Sequence, residues 1–412
     1  MSLNQLIGPF KQIVTMDNMN PSGTLKNESL KIINDGAILI IEDTIAEIGT
    51  YQTLLNKINK NEVGLDIINE DMVLIPGIID AHTHICFAGS RAEDYSLRSN
   101  GKSYLEIARA GGGIMQTVYQ TRKASLNELV DSLTARCERL LSEGITTCEV
   151  KSGYGLNVKD EIKILQAIQI VNAKHAIDLI ATALPAHTCP PEFENPQKYL
   201  EMLVEELLPE ILHQKLANRA DIFIEDGAFS VNQGAFYLEK IKSAGLDITV
   251  HADQFSTGGS ELAARYKAAS ADHLEASAEA EIRLLSENKI PGVLLPGASL
   301  GLGLPFAPAR KMFDAGMTVA IASDWNPGSA PMGDLLIQSC LLGIYEKLSL
   351  AEILAGLTVN PAHILKLKNC GILKEGYKTD MNAFLCSDYK DIFYNQGKLK
   401  PYHVWKNGVK VK

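Results

Sequence analysis

From Thr146 onward, short apolar runs rich in β-branched residues alternate with stretches of helical period. That alternation predicts an α/β fold built on parallel strands. The first run, PGIIDAH, ends at His82; it is followed by TTCEVK (146–151), LIATALPAH (179–187), DIFIED (221–226) and ITVHA (248–252). AASADH (268–273), PGVLLPG (291–297) and TVAIASD (318–324) bring the number of runs to eight. Between them lie amphipathic segments such as SLNELVDSLTARCERLLSEG (125–144), which opens on a serine N-cap and closes on glycine. Eight strand–helix units predict a TIM-type (β/α)8 barrel over residues 71–366.

Two segments fall outside this repeat. Residues 1–70, with LKIINDGAILIIEDTIAEIG, and residues 367–412, with TDMNAFLC and YHVWKNGVKVK, are rich in strand formers and turn residues. Each is too short to cover both faces of a sheet alone, so the two chain termini are expected to build one small β-sandwich together.

Composition narrows the function. An apolar content of 46% supports a sizeable core, and a net charge of -10 argues against a nucleic-acid groove or an anionic membrane as the main partner. A small molecule is the expected ligand. Seven cysteines stand singly with no CxxC pair, which suits free, mostly buried thiols in a reducing cytoplasm. Neither a secretory leader pattern nor an apolar run of the ~20 residues that span a bilayer is found.

The polar residues that remain collect at the C-terminal ends of the predicted strands: His82, His84, Lys151, His187, Asp226, His251, His273 and Asp324. That rim is where barrels of this type build their active sites. His82 and His84 are two apart on an extended stretch and so project to one side, where two imidazoles can share a divalent ion. His251 and Asp324 end their own strands in the same place, completing a set of three histidines and a carboxylate suited to zinc or iron. Such an ion activates water at neutral pH, and hydrolysis is its natural use. The fourth strand, IFIED, offers no lysine to bridge a second ion, so one metal is expected.

Around this set, His273 reads either as a further ligand or proton shuttle and oxyanion partner, or as a helix-capping histidine. Lys151 reads as a salt bridge to a rim carboxylate such as Asp226. Arg91, in ICFAGSRAEDY, suits a substrate carboxylate or a surface ion pair. Tyr154 lies in a glycine-flanked loop, KSGYGL, as a ligand contact or as packing. In SDWNPGSAP, Asn326 and Ser329 offer hydrogen bonds beside Asp324, unless the segment is simply a turn. Gly111 to Gly113 reads as a flexible loop or lid, and His175, His213 and His403 read as ordinary surface or core residues.

These motifs resemble the amidohydrolase superfamily, and within it most closely the imidazolonepropionase family, which acts third in histidine degradation. GAILI, IAEIG, PGIIDAHTH, YLEIARAGGGI, TTCEVKSGYGL, ALPAH, HADQ, SADHLE, SDWNPGS and GILKEGYKTDMNAF carry the likeness over nearly the whole chain. PGIIDAHTH is superfamily-wide, whereas EVKSGYGL with SDWNPGS is far more specific. The resemblance implies hydrolysis of the cyclic amide of 4-imidazolone-5-propanoate to N-formimidoyl-L-glutamate, with one Zn or Fe ion per subunit on His82, His84, His251 and Asp324. It implies substrate contacts from Arg91, Tyr154, His187, Gln254 and Ser329, and product contacts from Tyr154, Asn326 and Gly328. Some relatives have a glutamate where this chain has Gln254, which removes a direct general-base role from that position. The expected catalytic groups are Asp324 as proton acceptor, His273 as orienting and oxyanion-stabilising group, and His187 as a ring-holding group.

Two other readings use the same residues. A metal-dependent deaminase of an aminated heterocycle would share the barrel and metal set, and a non-catalytic scaffold would share the fold alone. A homodimer is the expected assembly.

Overall fold

The computed structural model describes residues 4–59, 61–102, 106 and 112–412. Most of YLEIARAGGGI, including Gly111, therefore lies outside the described residues. The N-terminal strands are β1 (Gln5–Val14), β2 (Ile32–Ile41), β3 (Thr44–Thr50), β4 (Gly64–Ile67) and β5 (Met72–Pro76). Eight further strands follow: β6 (Ile78–Asp80), β7 (Ile145–Lys151), β8 (Asp178–Ala186), β9 (Arg219–Ile222), β10 (Asp247–Ala252), β11 (Ser270–His273), β12 (Gly292–Leu294) and β13 (Val319–Ile321). The chain ends with β14 (Met381–Leu385), β15 (His403–Lys406) and β16 (Val409–Lys410).

Strands β6 to β13 pair in parallel, each with its sequence neighbour, and form the eight-stranded barrel sheet. Strands from both termini form a separate mixed sheet, ordered β16-β15-β14-β5-β1-β2-β3 with β4 on β1. Its apolar face packs Phe10, Ile13, Ile38, Leu74, Met381 and Trp405 into a core of its own. The segment at Gly77 links the two sheets. A Cβ there would stand 2.3 Å from Thr146 Oγ1, so only glycine lets the chain pass from β5 into β6 so close to β7.

The first barrel strand is shorter than the apolar run suggests, because its ladder to β7 stops at Asp80. Beyond it the chain stays extended and meets the segment after β13. Ser323 N donates to Asp80 Oδ1 at 3.0 Å, Asp324 N to the His82 carbonyl at 3.0 Å, and His84 N to the Trp325 carbonyl at 2.9 Å. These bonds join the two ends of the barrel sheet. The helix over Leu126–Ser142 carries the expected cap: Ser125 and Glu128 bond each other's backbone in a capping box, and Leu129, Leu133, Cys137 and Leu140 are buried.

One rim assignment is corrected. Strand β9 ends at Ile222, and Asp226 lies exposed in the turn before Gly227, so it is not a rim partner for Lys151. The inward carboxylate of this strand is Asp221, its third residue. A cavity of about 450 Å³ lies between Asp247, Tyr266, Lys289 and His363, by the N-terminal ends of β10 to β12 and away from the histidine cluster. Among the described residues no helix is long and apolar enough to cross a membrane, and all seven cysteines are free.

Candidate metal centre and active site

The bonds that join β6 to the segment after β13 bring His82 and His84 against Asp324. Among the described residues, His82, His84 and His251 each offer a ligand atom to one cluster whose atoms lie within 4.8 Å of one another. The Nε2 atoms of His82 and His84 are 3.2 Å apart, and those of His84 and His251 are 3.3 Å apart. Asp324 Oδ1 stands 3.6 Å from His82 Nε2 and 3.4 Å from His84 Nε2. All four residues are buried.

The proton positions follow from the outer nitrogens. His82 Nδ1 lies 2.7 Å from Asp272 Oδ2, and His251 Nδ1 lies 2.9 Å from Asp221 Oδ2. A carboxylate accepts only, so both rings carry their proton on Nδ1 and turn a bare Nε2 lone pair towards the other. Burial, together with Lys151 for His82 and His187 for His84, holds both imidazoles far below their ordinary pKa. Lone pairs that converge beside a carboxylate repel one another unless a cation lies between them, and the Nδ1–H···carboxylate bonds of His82 and His251 are the usual support of metal-bound histidine. The donor set therefore fits a metal ion. His84 differs, since its Nδ1 is buried without a hydrogen-bond partner.

Asp221 and Asp272 are residues of the candidate site that the sequence reading missed. Their signal is strand period: Asp221 follows Arg219 by two on β9, and Asp272 follows Ser270 by two on β11, each pair on one face. Lys151 connects them, with Nζ 2.8 Å from Glu149 Oε1, 2.9 Å from Asp221 Oδ2 and 3.5 Å from Asp272 Oδ2. Strands β7 and β11 are not neighbours, so these contacts cross the inside of the barrel. Burial opposes the charge on Lys151, but the three carboxylates outweigh it and raise its pKa.

His273 faces the centre rather than a helix end. Its ring centroid is 5.2 Å from that of His251 and 5.9 Å from that of His82. Asp272 already points inward, so regular alternation would turn His273 outward; its φ of 85° breaks the strand and brings the ring back. Its Nδ1 lies 3.3 Å from Glu275 Oε2. Burial works against protonation of His273, yet Glu275, Asp324 and Asp272 outweigh it and raise its pKa. Asp324, with φ 50°, is held through Oδ2 by Asn326 Nδ2 at 2.9 Å and Ser329 Oγ at 3.3 Å. Burial raises its pKa against the pull of His273 and His251.

His187 and Tyr154 line one side of this cluster. His187 stacks on His84 with centroids 5.2 Å apart, and its Nδ1 donates to the Gly153 carbonyl at 3.1 Å, leaving Nε2 as an acceptor. Burial and His251 bring its pKa down to about 3. Tyr154 packs 5.6 Å from His187 and 6.1 Å from His84. The loop that carries it wraps around Glu161, which accepts from Gly153 N, Gly155 N and Leu156 N at 2.7–3.0 Å. Arg91 is no surface pair. Its side chain is only 10% exposed, its Nε donates to the buried Asp94 at 2.8 Å, and a Cβ on Gly328 would stand 2.3 Å from its Nη1. Arg98 donates to the Gly328 carbonyl at 3.1 Å, so two guanidinium groups meet the loop that carries Asp324. Gln254 is buried in the loop after β10, whose next residues Phe255 and Ser256 donate through their backbone N–H groups to Glu225 at 2.9 and 3.1 Å.

Known proteins resemble this chain in sequence and in fold. The model of the amidohydrolase family matches residues 73–411. An imidazolonepropionase from Bdellovibrio bacteriovorus is 40% identical over 94% of this chain and 91% of its own length, and one from Alkaliphilus oremlandii is 36% identical over 99% and 96%. Among solved structures, a mutant of atrazine chlorohydrolase from Arthrobacter aurescens, complexed with zinc and atraton, superposes with a TM-score of 0.73 at 18% identity, covering 99% of this chain and 95% of that one. An adenosine deaminase from Xanthomonas campestris with bound zinc gives 0.70 at 15% identity over 99% and 92%. With its eight parallel strands, its histidine cluster and relatives of this identity over almost their full length, the chain belongs to the amidohydrolase family and, within it, to the imidazolonepropionases.

Proposed function

We propose that this enzyme hydrolyses the cyclic amide of 4-imidazolone-5-propanoate to N-formimidoyl-L-glutamate, using one zinc or iron ion held by His82, His84, His251 and Asp324. The observation that carries the reading to this substrate is the placement of Arg91 against Gly328, on the loop that begins at Asp324. It sets a carboxylate-binding fork beside the candidate proton acceptor. The relatives' shared name supplies the reaction class.

A divalent ion in this site polarises a carbonyl and brings the pKa of water towards ~7. The chain's own groups do the rest. Arg91 binds the propanoate, with Ser329 and Asn326 beside it. The Nε2 acceptor of His187 takes a ring N–H, Gln254 holds the ring with it, and Tyr154 packs against it. Asp324 accepts the proton of the attacking water as the new C–O bond forms, and returns it to the ring nitrogen as the C–N bond breaks. His273, charged with the help of Glu275, orients that water and donates to the developing oxyanion. Asn326 and Gly328 with Tyr154 hold the product. The free cysteines support a reducing cytoplasm as its compartment.

The test is loss of the absorbance of freshly prepared 4-imidazolone-5-propanoate, with and without a chelator, alongside an assay for N-formimidoyl-L-glutamate. Chelator-sensitive product formation is expected. A metal-loaded protein that leaves this substrate untouched would refute the reading and turn attention to ammonia release from aminated heterocycles.

A further inference from the structure

The least expected group in this barrel is a lysine with nothing reactive in reach. Lys151 is 1% exposed, and its contacts are the carboxylates of Glu149, Asp221 and Asp272. Two of these three carry the metal-facing histidines, and they do so through the same oxygens that the lysine touches. Asp221 Oδ2 is 2.9 Å from Lys151 Nζ and 2.9 Å from His251 Nδ1. Asp272 Oδ2 is 3.5 Å from Lys151 Nζ and 2.7 Å from His82 Nδ1.

We propose that Lys151 is a positioning residue for the metal centre: its ammonium fixes Asp221 and Asp272 as hydrogen-bond acceptors, and they hold His251 and His82 with both Nε2 lone pairs aimed at one point. The proposal rests on the reading of the histidine cluster as a metal site. A lysine kept only for core stability needs one carboxylate partner. This one reaches from β7 to β9 and β11 and ties together the two supports of ligands that stand 169 residues apart in sequence (251 − 82). The rest of each carboxylate is fixed as well. Asp221 Oδ1 accepts from His251 N at 3.1 Å and Ile222 N at 2.7 Å, and Asp272 accepts from Ser270 Oγ at 2.6 Å and Thr249 Oγ1 at 3.1 Å. Without the ammonium, two buried carboxylates side by side repel, and one of them is free to turn its acceptor oxygen away from the Nδ1–H it holds.

Removing Lys151 alone strands buried carboxylates, so the informative variant is Lys151→Met with Glu149→Gln, which deletes one charge of each sign. Glu149→Gln alone is the control, since Glu149 touches the lysine and neither histidine. The readout is the Kd of the apo-protein for Zn²⁺, by competition with a chromophoric chelator, with near-UV circular dichroism confirming the fold. We expect the control to bind as wild type and the double variant to bind about 10–100-fold more weakly, the usual effect of losing a group that supports a metal ligand. A folded double variant with wild-type affinity overturns the proposal. Imidazole ¹⁵N shifts of the wild-type apo-protein give a check that needs no variant: protons on Nδ1 of His82 and His251 are expected, and a proton on Nε2 of either ring also overturns it. Wild-type protein that takes up no divalent ion would instead refute the metal site itself, a result distinct from either of these.

Discussion

Arg91 shows how one side chain acquires a role from its surroundings. Asp94 takes its Nε, and Gly328 leaves room for Nη1, so the remaining guanidinium donors are presented at the loop that bears Asp324. A charge-assisted hydrogen bond to a carboxylate is worth about 1.5–3 kcal/mol, or roughly 10–100-fold in binding. Replacing Arg91 by Met should therefore raise KM for the propanoate substrate by that factor with kcat little changed. Steady-state kinetics with unaltered KM would place the carboxylate elsewhere. The rim histidines are legible in the sequence, because a histidine ending an apolar run has few structural uses and four such positions coincide. Asp221, Asp272 and Lys151 are not. A carboxylate or lysine within a strand pattern reads as an ordinary surface or rim group, and what distinguishes these three is partnership across the barrel, over 190 residues for His82 with Asp272. The assignment of Lys151 to Asp226 fails for this reason: sequence order places Asp226 at a strand end, whereas the chain has already turned outward by then.

Among the elements, the loop after β7 is the clearest case of backbone shaped for a ligand. Gly153 adopts φ 110°, and a Cβ on Gly155 would stand 2.4 Å from the backbone nitrogen of Glu161. The two glycines are therefore needed for the backbone to wrap the Glu161 carboxylate, and Tyr154 between them is carried to the histidines as a result. Gly155→Ala should destabilise the protein by about 1–3 kcal/mol, as overpacking of a close contact does. Its urea midpoint should fall, and KM should rise as Tyr154 is displaced; a wild-type midpoint would mean that the loop yields freely. Strand β11 uses the same device, since the positive φ of His273 and Leu274 stops the alternation at the position where an inward ring is required. Both motifs are visible in the sequence as composition, glycine-flanked tyrosine and Asp-His, but the dihedral angles that give them meaning depend on tertiary neighbours.

For the molecule as a whole, the terminal sheet is fastened to the barrel by charge as well as by the Gly77 junction. Lys406, 1% exposed on β15, binds Asp380 at 2.6 Å and Asp178, the first residue of β8, at 2.8 Å, and Lys378 binds the same Asp178 at 3.0 Å. Burial alone would raise the pKa of Asp178, but the two ammonium groups outweigh it and lower it below the ordinary 3.8. A carboxylate depressed in the folded state stabilises in full above its unfolded pKa and loses that contribution as pH falls through the folded value. Asp178→Asn should thus be less stable than wild type at pH 7, with the gap closing in acid below about pH 4. Urea midpoints across that range decide it, and a gap independent of pH would mean the ion pairs contribute nothing. The barrel itself is readable from its eight apolar runs, and the terminal sheet from its strand-rich ends. The ties between them are not, because they pair residues 200 and 228 positions apart.

The barrel closes where the chemistry is, through bonds between residues as far apart as Asp80 and Ser323, 243 positions along the chain. A ribosome must therefore make most of the protein before the first two histidines meet their carboxylate. The groups of the proposed metal centre therefore come together only late in synthesis, once the last barrel strand has been made.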